Sequence, residues 1–281
     1  MVLAVRAIAL IAALQAAGVP LFLFLFEDGL PRVHERVRLL AIHSAWVGLA
    51  LAILYELSEP VRLMGNLSGL MDASLHGALL ESPFGTTTAI RAVGLLCIAG
   101  GCLNWRRRGA MVALLGSTLV VVSFAFMGHT TEGDQRWLTA VALIVHLVVV
   151  AFWFGSLLPL YSARRYEDLA TNGQLIERFS YVAVRIVPAI FIAGLLLAAV
   201  LLPSLASLRT YYGLLLISKV AGFAALMAIA AYNKHRLGPS IAAGRQAALS
   251  LFGRAVLAEW GTIAVIVAVT ATMTGVFSPT H

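Results

Sequence analysis

The sequence predicts an all-α polytopic membrane protein, with residues 1–281 forming one domain, a bundle of eight transmembrane helices. Of its 281 residues, 60% are hydrophobic and only 12% are charged, and its mean hydropathy is +0.92. Soluble domains carry roughly 25% charged and about 45–50% apolar residues. A soluble fold of this length could not bury so much apolar surface, so lipid must be the solvent for most of it.

Eight apolar windows are long enough to cross a bilayer. They run roughly over 3–26, 38–57, 86–104, 110–127, 138–161, 184–203, 214–232 and 255–277. Helix is the only state that satisfies the backbone within lipid, because an open sheet would leave its edge groups unpaired. The first window is longer than the apolar core of a signal peptide, about 7–15 residues, so we interpret it as a helix that stays in the membrane.

The distribution of basic residues predicts the sidedness. The net charge is +7, and fourteen of the twenty basic residues fall on one side of the predicted membrane. These are Arg32, Arg36, Arg38, Arg106, Arg107, Arg108, Arg164, Arg165, Arg178, Arg185, Lys234, Arg236, Arg245 and Arg254. The positive-inside rule places that side in the cytoplasm and both termini outside. Basic residues in short loops are topology signals, so we expect no nucleic-acid partner.

The longest outer loop joins the second and third windows, at about 58–85. Its mixture of apolar and polar residues predicts a short helix lying in the membrane interface. Met64, Met71 and His76 are spaced seven and five residues apart in this loop and could pre-concentrate a metal ion. Ordinary apolar packing is the alternative for the two methionines.

Histidines in or beside spans are the clearest candidates for function, because polar side chains in lipid are costly. His129 ends the fourth window just after Met127, and His146 lies about nine residues into the fifth. Imidazole binds copper, zinc and iron, and a thioether selects Cu(I). His129, His146 and Met127 are therefore predicted copper ligands in a cleft open to the outside. The alternatives are an interfacial loop histidine at His129 and a backbone-bonded neutral histidine at His146.

Other polar residues in the spans are weaker candidates. His43, near the cytoplasmic end of the second window, is a possible inner metal ligand. Residues that could mark a transport path are Trp153, seven residues after His146 on the same helix face, Glu259 at the start of the eighth window, Gln15 and Lys219. Helix-end solvation is the alternative for Glu259, and snorkelling to the interface is the alternative for Lys219.

No motif of a soluble enzyme or an ATP-driven pump is found: there is no P-loop, no HExxH and no GxGxxG after a strand. We therefore expect a non-enzymatic protein. Besides transport, the histidines permit a b-type haem electron carrier, with His43 or His129 and His146 as axial ligands. A copper-delivery or assembly subunit without flux of its own is a third possibility.

Several motifs resemble one known family. These are the Gly-His pair at 128–129, HLVVVAFWFGSLLPL at 146–160, Arg178–Phe179–Ser180, the stretch from Tyr212–Gly213 to Lys219, and Asn233 with Arg236, Leu237 and Pro239. Together with Glu259, they resemble the copper resistance protein D (CopD) family, with the clearest likeness over about 120–281.

The resemblance implies a multi-pass bacterial inner-membrane protein that moves copper, as Cu(I) or Cu(II), from periplasm to cytoplasm in copper homeostasis and resistance. It also implies a periplasmic copper-binding partner of the CopC type. The family's histidines carry over to His129 and His146. Relatives often have a histidine in the first helix, where this chain has Gln15.

Overall fold

The structure is a computed structural model that describes residues 2–126, 136–202 and 204–276. Met127 and His129 lie outside these ranges. In the described residues the secondary structure is entirely helical. The α-helices are α1 (Val2–Phe26), α2 (His34–Met64), α3 (Ala73–Glu81), α4 (Pro83–Leu103), α5 (Arg107–Ser123), α6 (Arg136–Tyr166), α7 (Leu169–Leu201), α8 (Tyr211–Tyr232), α9 (Gly238–Ala242) and α10 (Gln246–Val276).

Eight helical segments of the described chain are long and apolar enough to span a membrane, which confirms the predicted number. A π-helix at Asn233–Leu237 joins α8 to α9, so these elements form one span. The helices α2, α6, α7 and α10 have 31 to 33 residues. Helices of this length measure nearly 50 Å, well beyond the 30 Å or so of hydrocarbon.

The predicted windows are shorter than the helices because hydropathy detects only the apolar part, whereas helical hydrogen bonding continues through the polar ends. The largest differences are at α7 and α10, which begin 15 and 9 residues before their windows at 184 and 255. Arg178, which precedes the predicted window, therefore lies within α7 rather than in a loop. Glu259 lies well inside α10 rather than at its start.

The first helix is the centre of the bundle. Residues 12–20 are buried without interruption, and α1 contacts α2, α4, α5, α6 and α10. Its closest approach is to α6, where Gly18 meets Gly155. A Cβ atom at Gly18 would lie 1.8 Å from the Ala151 carbonyl oxygen. The two glycines thus let the backbones of α1 and α6 touch.

One end of the bundle, which we call the Arg-rich end, carries the helix connections at 27–33, 104–106, 167–168 and 243–245, and most of the basic residues predicted on one side lie in or beside them. Glu167 Oε1 accepts hydrogen bonds from the backbone N–H groups of Arg32 at 2.7 Å and Val33 at 2.9 Å. Arg38 donates to the carbonyls of Cys102 and Leu103 at the end of α4. These contacts satisfy helix-terminal groups that would otherwise lack partners, and they join α2 to α4 and α6.

The short helix predicted in the longest loop is present as α3. Asp72 begins it by accepting a hydrogen bond from the Leu75 N–H at 3.0 Å. The Ser74 hydroxyl also donates to Asp72, and these donors hold the pKa of its carboxyl below the usual range. The loop is therefore folded, through an aspartate cap of a common type.

Candidate metal site

His146 lies on α6, in the half of the helix away from the Arg-rich end. Its Nδ1 is 3.1 Å from the Ile190 carbonyl oxygen on α7, and its ring packs beside Gly194. Since a carbonyl oxygen can only accept, Nδ1 must carry the proton. Nε2 then keeps its lone pair, and no hydrogen-bond partner for it is found in the described part of the chain. A carbonyl that fixes the tautomer in this way is usual for a metal-ligating histidine.

This contact is also the one expected for a backbone-bonded neutral histidine. Both interpretations require the same Nδ1–H donor, and they differ only in what occupies Nε2. Lys219 on α8 is close enough to His146 to interact with it electrostatically. His146 thus lies where α6 packs on α7.

The other two predicted ligands of this cleft, Met127 and His129, lie outside the described residues. The chain before them ends in a 3-10 turn at Phe124–Phe126, and α6 begins after them at Arg136. Phe126 and Arg136 therefore lie at the end of the bundle away from the Arg-rich end, in the same half as His146. The pairing of His129 with His146 stays a prediction.

Deeper along α6, a set of buried and half-buried polar side chains crosses the bundle; we call it the polar layer. It consists of Gln15, Trp153, Asn233, Glu259 and Trp260. Trp153 Nε1 donates to Glu259 Oε2 at 3.1 Å, and Asn233 Nδ2 donates to Glu259 Oε1 at 2.5 Å. Glu259 is only 4% exposed, so helix-end solvation does not explain it.

Gln15 belongs to the same layer, on the side of α1. Its Oε1 accepts a hydrogen bond from Trp260 Nε1 at 2.9 Å, and its Nε2 donates to the Gly155 carbonyl at 3.3 Å. This second bond lies one turn from the contact of Gly18 with Gly155. The position where relatives often have a histidine is thus occupied here by an amide that is hydrogen-bonded through both its oxygen and its nitrogen.

His146 and Trp153 are two turns apart on α6, about 10 Å. Although they share the predicted helix face, they meet different neighbours, because α7 covers His146 and α10 covers Trp153. His146 and the polar layer are therefore linked through α6, which carries His146 and Trp153 on one face.

The remaining predicted residues are more dispersed. His43 is exposed on α2, whereas His146 is hydrogen-bonded to α7. In the loop, Met71 is 89% exposed and Met64 is also exposed, while His76 Nε2 is 3.2 Å from the Leu70 carbonyl. Within the described ranges, no three His, Cys, Asp or Glu residues form a metal-binding group.

Asn233 and Trp260 were missed as site residues by sequence reasoning. Asn233 immediately precedes a basic run and has the appearance of a helix-end residue. In the structure it begins the π-helix, and its side chain turns into the bundle. Trp260 directly follows Glu259, and in the sequence it is indistinguishable from a lipid-facing tryptophan.

An apolar groove of about 420 Å³ lies between α8 and α10. Neither Asn233 nor Trp260 lines this groove, so it is separate from the polar layer.

Comparison with known proteins gives a consistent result. The family described as copper resistance protein D matches residues 173–273, and the N-terminal domain described as copper resistance protein D-like matches residues 1–137. The chain is 25% identical over 213 residues to inner membrane protein YebZ of Escherichia coli (strain K12), covering 74% of this chain and 73% of that protein.

The chain is also 27% identical over 213 residues to copper resistance protein D of Pseudomonas syringae pv. tomato, covering 70% and 68% of the two chains. No solved structure matches significantly. The similarity to YebZ and the eight spans confirm the predicted inner-membrane location. The two family matches lie on both halves of the helical bundle, and this chain belongs to the copper resistance protein D family.

Proposed function

We propose that this protein is a transporter rather than an enzyme, and that it moves copper ions across the inner membrane from periplasm to cytoplasm. The observation that carries the proposal is His146, a histidine inside a membrane bundle of a copper resistance family. Its Nδ1–H is fixed by the Ile190 carbonyl, and its Nε2 is available as a ligand for Cu(I) or Cu(II).

The proposed path begins at Met127 and His129, continues to His146, and then passes along α6 toward the polar layer. Transfer between neighbouring ligands keeps the ion coordinated, because a bare cation in hydrocarbon would cost far more than any available binding energy. The exposed position of His43 makes it the least suitable of the four predicted ligands. Within the polar layer, Trp153, Glu259 and Gln15 line the path rather than bind the metal.

The periplasm-to-cytoplasm direction is the one that the family resemblance implies, and the proposed topology is compatible with it. The Arg-rich end faces the cytoplasm, and both termini and His146's end of α6 face the periplasm. A CopC-type copper-binding protein would then deliver copper on the periplasmic side, where Met64, Met71 and His76 would help to capture it.

The variant Met71→Leu tests this capture step. It should raise the copper concentration that gives half-maximal uptake and should leave the maximal uptake rate unchanged.

Copper uptake by proteoliposomes of the purified protein tests this function. We expect wild-type vesicles to accumulate copper and His146→Ala and His129→Ala vesicles to match empty ones, with equal amounts of inserted protein. His235→Ala is the matched control, because His235 is exposed at the Arg-rich end, and it should transport normally.

Two results would contradict the proposal. Normal uptake by His146→Ala would remove this residue from the path. Absence of flux in wild-type vesicles would instead favour a copper-delivery or assembly role. A haem Soret band in the purified protein would instead favour the electron carrier.

A further inference from the structure

Glu259 is a carboxylate buried in the bundle with only neutral hydrogen-bond donors. The indole of Trp153 bonds one oxygen and the amide of Asn233 bonds the other. Four ion pairs are found in the described residues, and none includes Glu259. Since an unpaired buried charge is strongly unfavourable at such a position, the carboxylate needs a bound proton or a bound cation.

Charged and titratable groups do occur on the elements packed against α10, and Lys234 directly follows Asn233 in the chain. Arg6 on α1 bonds Thr274, near the opposite end of α10, and Arg164 on α6 bonds the carbonyl of Ser250, near its start. The other charged groups and histidines of α6, of the span from α8 to α9, and of α10 itself are Arg136, His146, Arg165, Lys219, Lys234, His235, Arg236 and Arg254. None of them bonds to Glu259 in the described structure.

Asn233 supplies a second observation at the same place. Its Oδ1 is buried and has no hydrogen-bond partner among the described residues, which is costly unless another state uses it. A half-turn of the amide brings Oδ1 to the Glu259 oxygen now facing Nδ2. The present separation of Nδ2 from that oxygen is 2.5 Å, so either orientation of the amide places a polar atom within hydrogen-bond reach of Glu259.

The pair therefore has one arrangement for each protonation state. With Glu259 ionised, Asn233 donates through Nδ2. With Glu259 protonated, its O–H donates to Asn233 Oδ1. Asn233 begins the π-helix, a helical irregularity that is common at functional sites, and this segment leads to the Arg-rich end, from which a proton can enter.

We propose that Glu259 is the proton-binding carboxylate of the transport cycle. It takes up one proton to form a neutral carboxylic acid and then releases that proton, which regenerates the carboxylate, with no electron transferred. The coupling to copper rests on the proposed function, and the connection is α6, which carries both His146 and Trp153. Proton binding by Glu259 stands on the polar layer alone.

Infrared difference spectroscopy on the protein in lipid vesicles, between alkaline and acidic pH, tests proton binding without copper. We expect a carboxylic-acid C=O band that shifts in D₂O and is absent from Glu259→Gln. Glu177→Gln, which changes an exposed glutamate on α7, should keep the band. An unchanged band in Glu259→Gln would overturn the proposal.

Trp153→Phe and Asn233→Leu keep the proposal testable if Glu259→Gln does not fold. Each removes one partner of the carboxylate, and each should move the pH midpoint of the band, whereas a fixed midpoint in both would overturn the assignment.

The coupling of this proton to copper is tested separately, by transport. An imposed pH gradient should change wild-type copper uptake several-fold and should have no effect on any uptake by folded Glu259→Gln. An equal response in both would overturn the coupling, and absence of all flux would contradict the proposed function while leaving the infrared result intact.

Discussion

The contact of Gly18 with Gly155 predicts that a single methyl group at either position separates α1 from α6. A Cβ at Gly18 would lie 1.8 Å from the Ala151 oxygen, and one at Gly155 would lie 2.4 Å from the Gly18 Cα. The clashing atoms are backbone atoms, so no side chain can move aside. The helices must separate by roughly 1.5 Å to restore ordinary contact distances of about 3.5 Å.

That separation would also break the bond from Gln15 to the Gly155 carbonyl, which is already 3.3 Å long. Overpacking costs about 1–3 kcal/mol, and loss of the bond adds about 1 kcal/mol. At roughly 2–4 °C per kcal/mol, extrapolated from soluble domains of similar size, Gly18→Ala should lower the melting temperature by about 5–10 °C.

A thiol-reactive fluorogenic dye provides the assay, because the buried Cys102 becomes accessible on unfolding. Gly100→Ala is the matched control, since a Cβ at that helical position meets no atom within 4 Å. The control should melt at the wild-type temperature or slightly higher. Equal melting temperatures for Gly18→Ala and Gly100→Ala would refute the close packing of α1 on α6 and, with it, the placement of Gln15.

Three further predictions concern other parts of the molecule. Glu167→Gln should lower the melting temperature by a few degrees, because a charged acceptor of the Arg32 and Val33 N–H groups is lost, whereas the exposed Glu177→Gln should not. The pKa of the Asp72 carboxyl is below its usual range, so its stabilisation of α3 is complete above the unfolded-state pKa and is lost as the pH falls through the lower folded-state pKa. Amide hydrogen exchange in α3 should therefore be faster in Asp72→Ala than in the wild type at pH 7. Below the folded-state pKa the two proteins should exchange at the same rate. Lys219→Met should tighten copper binding at His146 several-fold in metal titrations, because a like charge within electrostatic range is removed; unchanged affinity would show that Lys219 carries no charge there.

The sequence predicts the span count well, because hydrophobicity over about 20 residues is a local property. It also identifies His146, since a histidine within an apolar run is conspicuous. It does not predict that Ile190 binds this histidine, because that contact joins residues 44 positions apart and depends on how α7 packs on α6.

The polar layer shows the same limit more clearly. Gln15 and Trp260 are 245 positions apart, and Asn233 and Glu259 are 26 apart. Each residue alone is compatible with a helix end or a lipid interface. Only the packing of α1, α6, α8 and α10 brings them together, and the underestimated length of α10 concealed how deep Glu259 lies.

The central claim is that His146 Nε2 binds copper, and X-ray absorption spectroscopy of the copper-loaded purified protein tests it most directly. The account predicts imidazole scattering from the wild-type protein and from His235→Ala, and its loss or reduction in His146→Ala together with weaker copper binding. An identical copper spectrum and affinity in His146→Ala would contradict the claim.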